Sequence, residues 1–431
     1  MTVAEVILWG KSIGAVAWDD KRNIANFEYD SSFVKSGIEI SPITMPLSSQ
    51  IYSFPALEPN TFNGLPGLLA DSLPDKFGNA LIDAWLAKEG RSLESFNPVE
   101  RLCYVGKRGM GALEFKPSHG PRNSVLKNIN IESLVELASE ILSKRGSFKS
   151  SLSLSARKKA LQDILKVGTS AGGARAKAII AWNPETQKVR SGQILAEPGF
   201  SYWILKFDGV SGNTDKELED TKGFGLIEYA YYKMALDAGI RMSESRLLHE
   251  NGRSHFMTKR FDRTVKGEKI HMQSLGALEH YDFNKAGAYS YEQAIQLMRR
   301  LKLPMIEIEE QFRRIAFNIM ARNQDDHVKN IAFLMNKTGK WKLSPAFDII
   351  YSYNPSGIWT NTHQMSMNGK RDKFKKNDFI EFAMTISMKK GRAEAIMTQV
   401  QDAVAKWPKH AQEVNVSGKI IKKIAFTHRK L

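Results

Sequence analysis

The feature that most limits the fold is a change of hydrophobic period late in the chain. Ile308, Phe312, Ile315, Ala316, Ile319 and Met320 recur at helical spacing, one apolar stripe that predicts a core-facing helix. Directly after it stands NQDDHVKN, residues 323–330, which crowds Asp325, Asp326, His327, Lys329 and Asn330 ahead of an apolar run. That run continues as IAFLMNKTGKWKL and reads as a short hairpin. Its return would bring Asp348, in SPAFDII, back beside Asn330. Taken singly, each of these aspartates reads as an ordinary turn or N-cap residue. Taken as a group, they read as a loop that handles a metal and a proton.

Upstream the pattern is different. AEVILWG, IGAVAWD, IANFEYD and GALEFKP read as short strands. DSLPDKFGNALIDAWLA, residues 71–87, reads as a helix with Leu81, Ile82, Trp85 and Leu86 on one face. PSHGPRN, residues 117–123, has linker composition. A helix is expected over 131–142 with Asn130 as N-cap, then a glycine-bearing turn, the strand YWILKF, a helix over 225–239 ended by Gly239, and the strand SHFMTKRFDR. Beyond about residue 290 the pattern is helical. The expected class is α+β, with a mixed α/β subdomain over 1–118, a strand-rich lobe over 119–290 and a helical lobe over 291–431.

Composition narrows the classes. The chain has 431 residues, 42% hydrophobic and 25% charged, ordinary for a soluble globular protein. No apolar run reaches membrane-spanning length, and the first residues alternate like a strand instead of forming a leader. Cys103 is the single cysteine, which suits a reducing cytoplasm and leaves no pair for a zinc site. The net charge of +16 favours acidic partners without saying which, and the basic clusters at 156–160, 369–376 and 419–430 read as solvated faces or as nucleic-acid contacts.

Phosphoryl transfer needs backbone donors around phosphates, a lysine, a carboxylate that holds the lysine, a base, and hard oxygens for Mg²⁺. Candidates for all of these occur in order. GTSAGGARAK offers Gly168, Gly172 and Gly173 for close approach to an anion, or else a plain hairpin turn. Lys206 in WILKF is flanked by apolar residues and either needs a partner or points to water from an edge strand. Glu228 in LIEYAYYKM, at the margin of its apolar stripe, is that partner or a surface residue. Asp325 and Asn330 have the base-to-amide spacing of protein kinase catalytic loops, with Asp348 as the second metal ligand. The usual glycine-rich loop, H-R-D and D-F-G signatures are missing.

Those departures form a pattern of their own. GLLADSLPDKFGN, RLCYVGKRGMGALEF, SAGGARAKA, DDHVKN, AFDII and HQMSMNGKRDKF together resemble the HipA family of bacterial serine/threonine kinases, the toxins of HipA–HipB pairs. The resemblance implies a two-lobed protein-kinase-like fold with an added N-terminal subdomain, and ATP and Mg²⁺ as cofactors. It implies Asp325 as base, Asn330 and Asp348 on magnesium and Lys206 on the ATP phosphates. Lys259 and Phe261 fall in a KRFD hinge along the adenine, with His327 and Lys329 completing the nucleotide site. It also implies autophosphorylation at Ser170, with Thr169 adjacent, which would expel the glycine loop. The partners it implies are a HipB-like helix-turn-helix antitoxin, operator DNA through that complex, and an aminoacyl-tRNA synthetase as substrate, with no membrane. Two other readings are a degenerate kinase acting as a DNA-associated co-repressor, and a magnesium-dependent nuclease or phosphohydrolase built on the Asp/His cluster.

Overall fold

Alternation of apolar and polar residues builds three antiparallel sheets, and helical stripes fill the spaces between them. The computed structural model describes residues 1–120, 128–143, 163–165, 167–168, 175–193, 195–210 and 222–431. Ser170, Gly172 and Gly173 of the glycine loop, and the basic cluster at 156–160, lie outside the described residues.

The first sheet holds β1 (Val3–Leu8), β2 (Lys11–Asp19), β3 (Ile24–Tyr29) and β4 (Leu113–Lys116) in the order β3-β2-β1-β4. Its inward residues, among them Val6, Val16, Phe27 and Phe115, close a core with helices Gly67–Ala70 and Pro98–Val105. The helix Lys76–Lys88 leaves this core. Its Phe77, Leu81 and Ala84 pack with the helix Ile131–Ser143 against a second sheet. Ser133 N–H donates to Asn130 Oδ1 at 3.0 Å, so the expected cap at Asn130 is formed.

The second sheet is five-stranded: β5 (Lys177–Trp182), β6 (Val189–Ser191), β7 (Ser201–Lys206), β8 (Ser245–Glu250) and β9 (Arg253–Lys259), in the order β6-β5-β7-β9-β8. Helix Phe224–Asp237 lies against β9. A third, small sheet joins β10 (His271–Ser274), β11 (Ala332–Met335) and β12 (Trp341–Leu343), so the expected hairpin is present and pairs with a strand from well upstream. The largest core belongs to the helical lobe, where Met305–Met320 is surrounded by Tyr291–Arg300, Lys376–Thr385 and Arg392–Ala405. A strand-rich lobe, a helical lobe and an added N-terminal subdomain make up the bilobed kinase-like fold expected from the sequence.

Polar ties seat the first subdomain on the crossing between the lobes. Asp262 is fully buried and accepts from Arg260 Nε at 2.9 Å, from Arg263 Nη1 at 2.8 Å and from the Gly111 backbone N–H at 2.7 Å. Burial alone would raise its pKa, but the two guanidiniums hold it far below the usual carboxylate range. Further on, Ser274 N–H and Oγ–H donate to Asp71 at 2.7 and 2.8 Å, and Gly67 N–H donates to His280 Nε2 at 2.9 Å. The bonds to Gly111, Asp71 and His280 join segments more than 150 residues apart, and the one between Asp262 and Gly111 is buried.

Burial also sets the acid limit of the fold. It pushes the imidazoles of His255, His271, His280 and His428 down from 6.5 to about 4. Over that interval the unfolded chain binds protons that the folded chain refuses. The stability tied to keeping these four imidazoles neutral is therefore complete above 6.5 and lost as pH falls to 4. The thermal unfolding midpoint should drop steadily across this window. His271→Gln should flatten the pH slope by up to about 1.4 kcal/mol per pH unit. A midpoint indifferent to pH throughout the window would contradict this.

Candidate active site

Strand β7 carries the central cation. Trp203 and Leu205 face the core, so the alternation turns Ile204 and Lys206 to the opposite face. There Lys206 Nζ hydrogen-bonds both Glu228 and Asp348. Burial would lower the lysine pKa, but Asp348 and then Glu228 outweigh it and the pKa is raised. The same pairing acts on Asp348: burial would raise its pKa, while Lys206 and, less strongly, Lys177 hold it down to about 2. Lys206 is therefore ammonium and Asp348 carboxylate throughout the neutral range.

Each carboxylate arrives for a local reason. Glu228 is only 2% exposed because its helix lies very close to β9. A Cβ at Gly225 would stand 2.1 Å from the Ser254 carbonyl oxygen, so glycine permits the approach. Asp208, just past β7, accepts the N–H of Gly223, the residue that starts the same helix, at 2.9 Å, tying strand and helix together. Asp348 follows the hairpin with φ of 52°, a left-handed conformation that short polar side chains tolerate better than most.

The loop that follows the helix Met305–Met320 is held from several sides. Asp325 N–H donates to Ser352 Oγ at 3.0 Å, Asn330 Nδ2–H donates to the Asp325 carbonyl at 2.7 Å, and Trp359 Nε1–H donates to Asp325 Oδ1 at 3.1 Å. His327 Nε2 stands 3.7 Å from Asp325 Oδ1, and its ring lies 5.7 Å from Phe283. With Nδ2 committed to the backbone, the amide oxygen of Asn330 is left for another donor or a cation. Asp348 and Asn330 thus offer two hard oxygens. Among the described residues no three of His, Cys, Asp and Glu form a self-contained metal centre. Two protein oxygens suit Mg²⁺, which is commonly shared between one or two protein ligands and substrate phosphates.

The other sequence candidates are spread more widely. Lys259 extends to Glu244 at 3.5 Å, and Phe261 packs at 5.7 Å against Phe347, next to Asp348. Lys329 Nζ sits 4.3 Å over the Phe283 ring. Gly168 has a packing reason to be glycine, since a Cβ there would lie 2.4 Å from Leu81 Cδ1.

The partners of these residues were mostly not singled out from sequence. Lys177 is the cross-strand partner of Lys206, and its Nζ lies 3.0 Å from Asp75 Oδ2, an ion pair without hydrogen-bond alignment. Arg175 reaches Glu228 at 3.4 Å. Asp326 is buried, bonded by Tyr291 Oη–H, by Gln364 N–H at 2.8 Å and by His363 Nδ1 at 2.7 Å. Arg429 Nη1 lies 2.9 Å from His363 Nε2. An arginine can only donate, so Nε2 carries the lone pair and Nδ1–H donates to Asp326. The signal was there: HQMSMNGKRDKF begins with this histidine.

With the geometry in hand, known proteins can be compared. The HipA N-terminal domain matches residues 4–116, and the HipA-like C-terminal domain matches residues 169–407. The chain belongs to the HipA family. A putative kinase of Haemophilus influenzae is 25% identical in an alignment of 192 positions that covers 38% of this chain and 56% of that protein. The chain thus spans little more than half the length of that curated relative. A chain of the Shewanella oneidensis MR-1 toxin–antitoxin complex of HipA, HipB and operator DNA aligns with a TM-score of 0.67 at 16% identity. The alignment covers 98% of this chain and 94% of that one, a likeness of fold.

Removing one carboxylate from the buried cluster should be costly, because Lys206 would keep only one of the two carboxylates it bonds and Arg175 would lose its contact with Glu228. Glu228→Ala is expected to lose roughly 3 kcal/mol in urea unfolding, the lower end for a broken buried pair. A loss under about 0.5 kcal/mol, as for a surface residue, would show that the pairing carries no weight.

Proposed function

We propose that the protein is an ATP- and Mg²⁺-dependent serine/threonine protein kinase, the toxin of a type II toxin–antitoxin pair. The observation that carries this reading is the meeting of Lys206, Glu228 and Asp348 in one cluster, together with the loop in which Asn330 bonds the Asp325 carbonyl. When bound, ATP with Mg²⁺ supplies the transferable phosphoryl group. Lys206 would contact its phosphates, held in place by Glu228, and the oxygens of Asp348 and Asn330 would hold magnesium. Asp325 accepts the proton of the acceptor hydroxyl. Phe261 and the segment from Lys259 would line the adenine, His327 shapes the loop, and Lys329 stands at its edge.

The remaining parts of the reading follow family membership. Ser170, in a loop whose phosphate-binding residues would include Gly168, Gly172 and Gly173, is the proposed autophosphorylation site. A phosphate of about −1.5 to −2 charges there would compete with those of ATP. The Shewanella structure contains HipB and operator DNA. By analogy, a HipB-like helix-turn-helix antitoxin and, through it, operator DNA are the proposed partners here, and the charge of +16 supports contact with DNA. The proposed substrate is an aminoacyl-tRNA synthetase, whose modification halts translation. A cytoplasmic setting suits the lone Cys103, buried with its thiol pushed up to about 11 by desolvation. Among the described residues no helix is long and apolar enough to cross a membrane.

Labelled ATP tests the reading. Wild type should take up or transfer label in Mg²⁺. Asp325→Ala should lower transfer by about 10²- to 10⁴-fold with ATP affinity nearly unchanged. A folded wild type that labels neither itself nor any acceptor would overturn the proposal, as would an Asp325→Ala variant that loses ATP binding but keeps its saturated rate. Ser170→Ala should abolish label on the loop peptide. Undiminished label there would move the site, with Thr169 the first alternative.

A further inference from the structure

Asp325 does not stand free. One carboxylate oxygen, Oδ1, accepts the indole N–H of Trp359 at 3.1 Å, while the side chain remains 45% exposed. The segment that brings Trp359 there is fastened to the catalytic loop on both sides. Gln324 Nε2–H donates to the Thr360 carbonyl at 3.2 Å. The buried Gln364 donates its backbone N–H to Asp326 at 2.8 Å and its side-chain amide to the Trp359 carbonyl. The next residue after the base and the residue that meets the base are thereby locked into one frame. A tryptophan held this firmly, with its single polar atom on the base, has a geometric task.

We infer that Trp359 is a positioning residue for phosphoryl transfer: its indole N–H fixes Oδ1 of Asp325 so that Oδ2 alone is presented to the acceptor hydroxyl. This rests on the kinase reading above and adds the side from which the protein substrate enters. The acceptor hydroxyl gives its proton to Oδ2 while its oxygen bonds to the γ-phosphorus. The bond from that phosphorus to the β–γ bridging oxygen breaks, and ADP leaves with the electron pair. Without the indole the carboxylate rotates among several orientations and productive ones become a minority. The acceptor therefore approaches past the 354–362 segment, where the neighbouring Ile358 is 93% exposed.

The test is steady-state phosphorylation by the full chain. Trp359→Phe keeps the ring and deletes the donor. It should lower kcat by about 10- to 100-fold, the worth of one hydrogen bond to a charged group, with KM for ATP and the melting midpoint unchanged. Trp359→His, which restores a ring N–H, should recover part of that loss. A Trp359→Phe enzyme as fast as wild type overturns the inference, and so does an equal loss in the Phe and His variants. Wild type without any transfer would instead defeat the kinase reading itself, so the two failures are told apart by the control.

Discussion

The ammonium of Lys206, largely buried and 5.7 Å from the Phe256 ring, cannot sit there without counter-charge, and that requirement organises the rest of the structure. One carboxylate comes from the helix Phe224–Asp237, the other from the far side of the β11–β12 hairpin, 142 residues away in sequence. Satisfying one cation therefore fixes how the strand-rich lobe meets the helical lobe. The glycine at 225 and the bond between Asp208 and Gly223 are local devices that let the helix come close enough. The left-handed Asp348 is the corresponding device on the other side.

The first subdomain is part of the same structural unit. Its helix Lys76–Lys88 lends Phe77 and Leu81 to the core behind β5 and β7, and the helix's N-cap Asp75 faces Lys177, the cross-strand neighbour of Lys206. Asp262 binds Gly111 at the crossing between lobes. Through these two ties the subdomain touches the strand beside Lys206 and the end of the segment proposed to line the adenine.

Much of this was legible in the sequence, because strand alternation and helical stripes are local signals. The four strands of the first sheet, the helix at 131–143, the stripe of Ile308–Met320 and the returning hairpin follow from them. The order Lys206, Glu228, Asp325, Asn330 and Asp348 was legible as chemistry. What periodicity left open was depth. Glu228 reads as the margin of a stripe, yet it is buried, because its exposure depends on Gly225 and a strand some 25 residues onward. Asp326 reads as one of a crowd of polar loop residues, yet its carboxylate is the buried anchor of Tyr291, His363 and Gln364. Trp359 and Lys177 have no local signature, since a tryptophan or lysine is defined by whatever the chain brings to it. The glycine loop itself lies outside the described residues.

The central claim is that Lys206 and Asp348 act as one unit at the nucleotide's phosphates. Calorimetric titration of ATP in Mg²⁺ across a Lys206→Ala, Asp348→Ala and double-variant cycle tests this most directly. The account requires each single substitution to weaken binding and the double to weaken it by less than their sum, with a coupling of about 0.5–3 kcal/mol. Losses that simply add, or ATP binding indifferent to both substitutions, would contradict it.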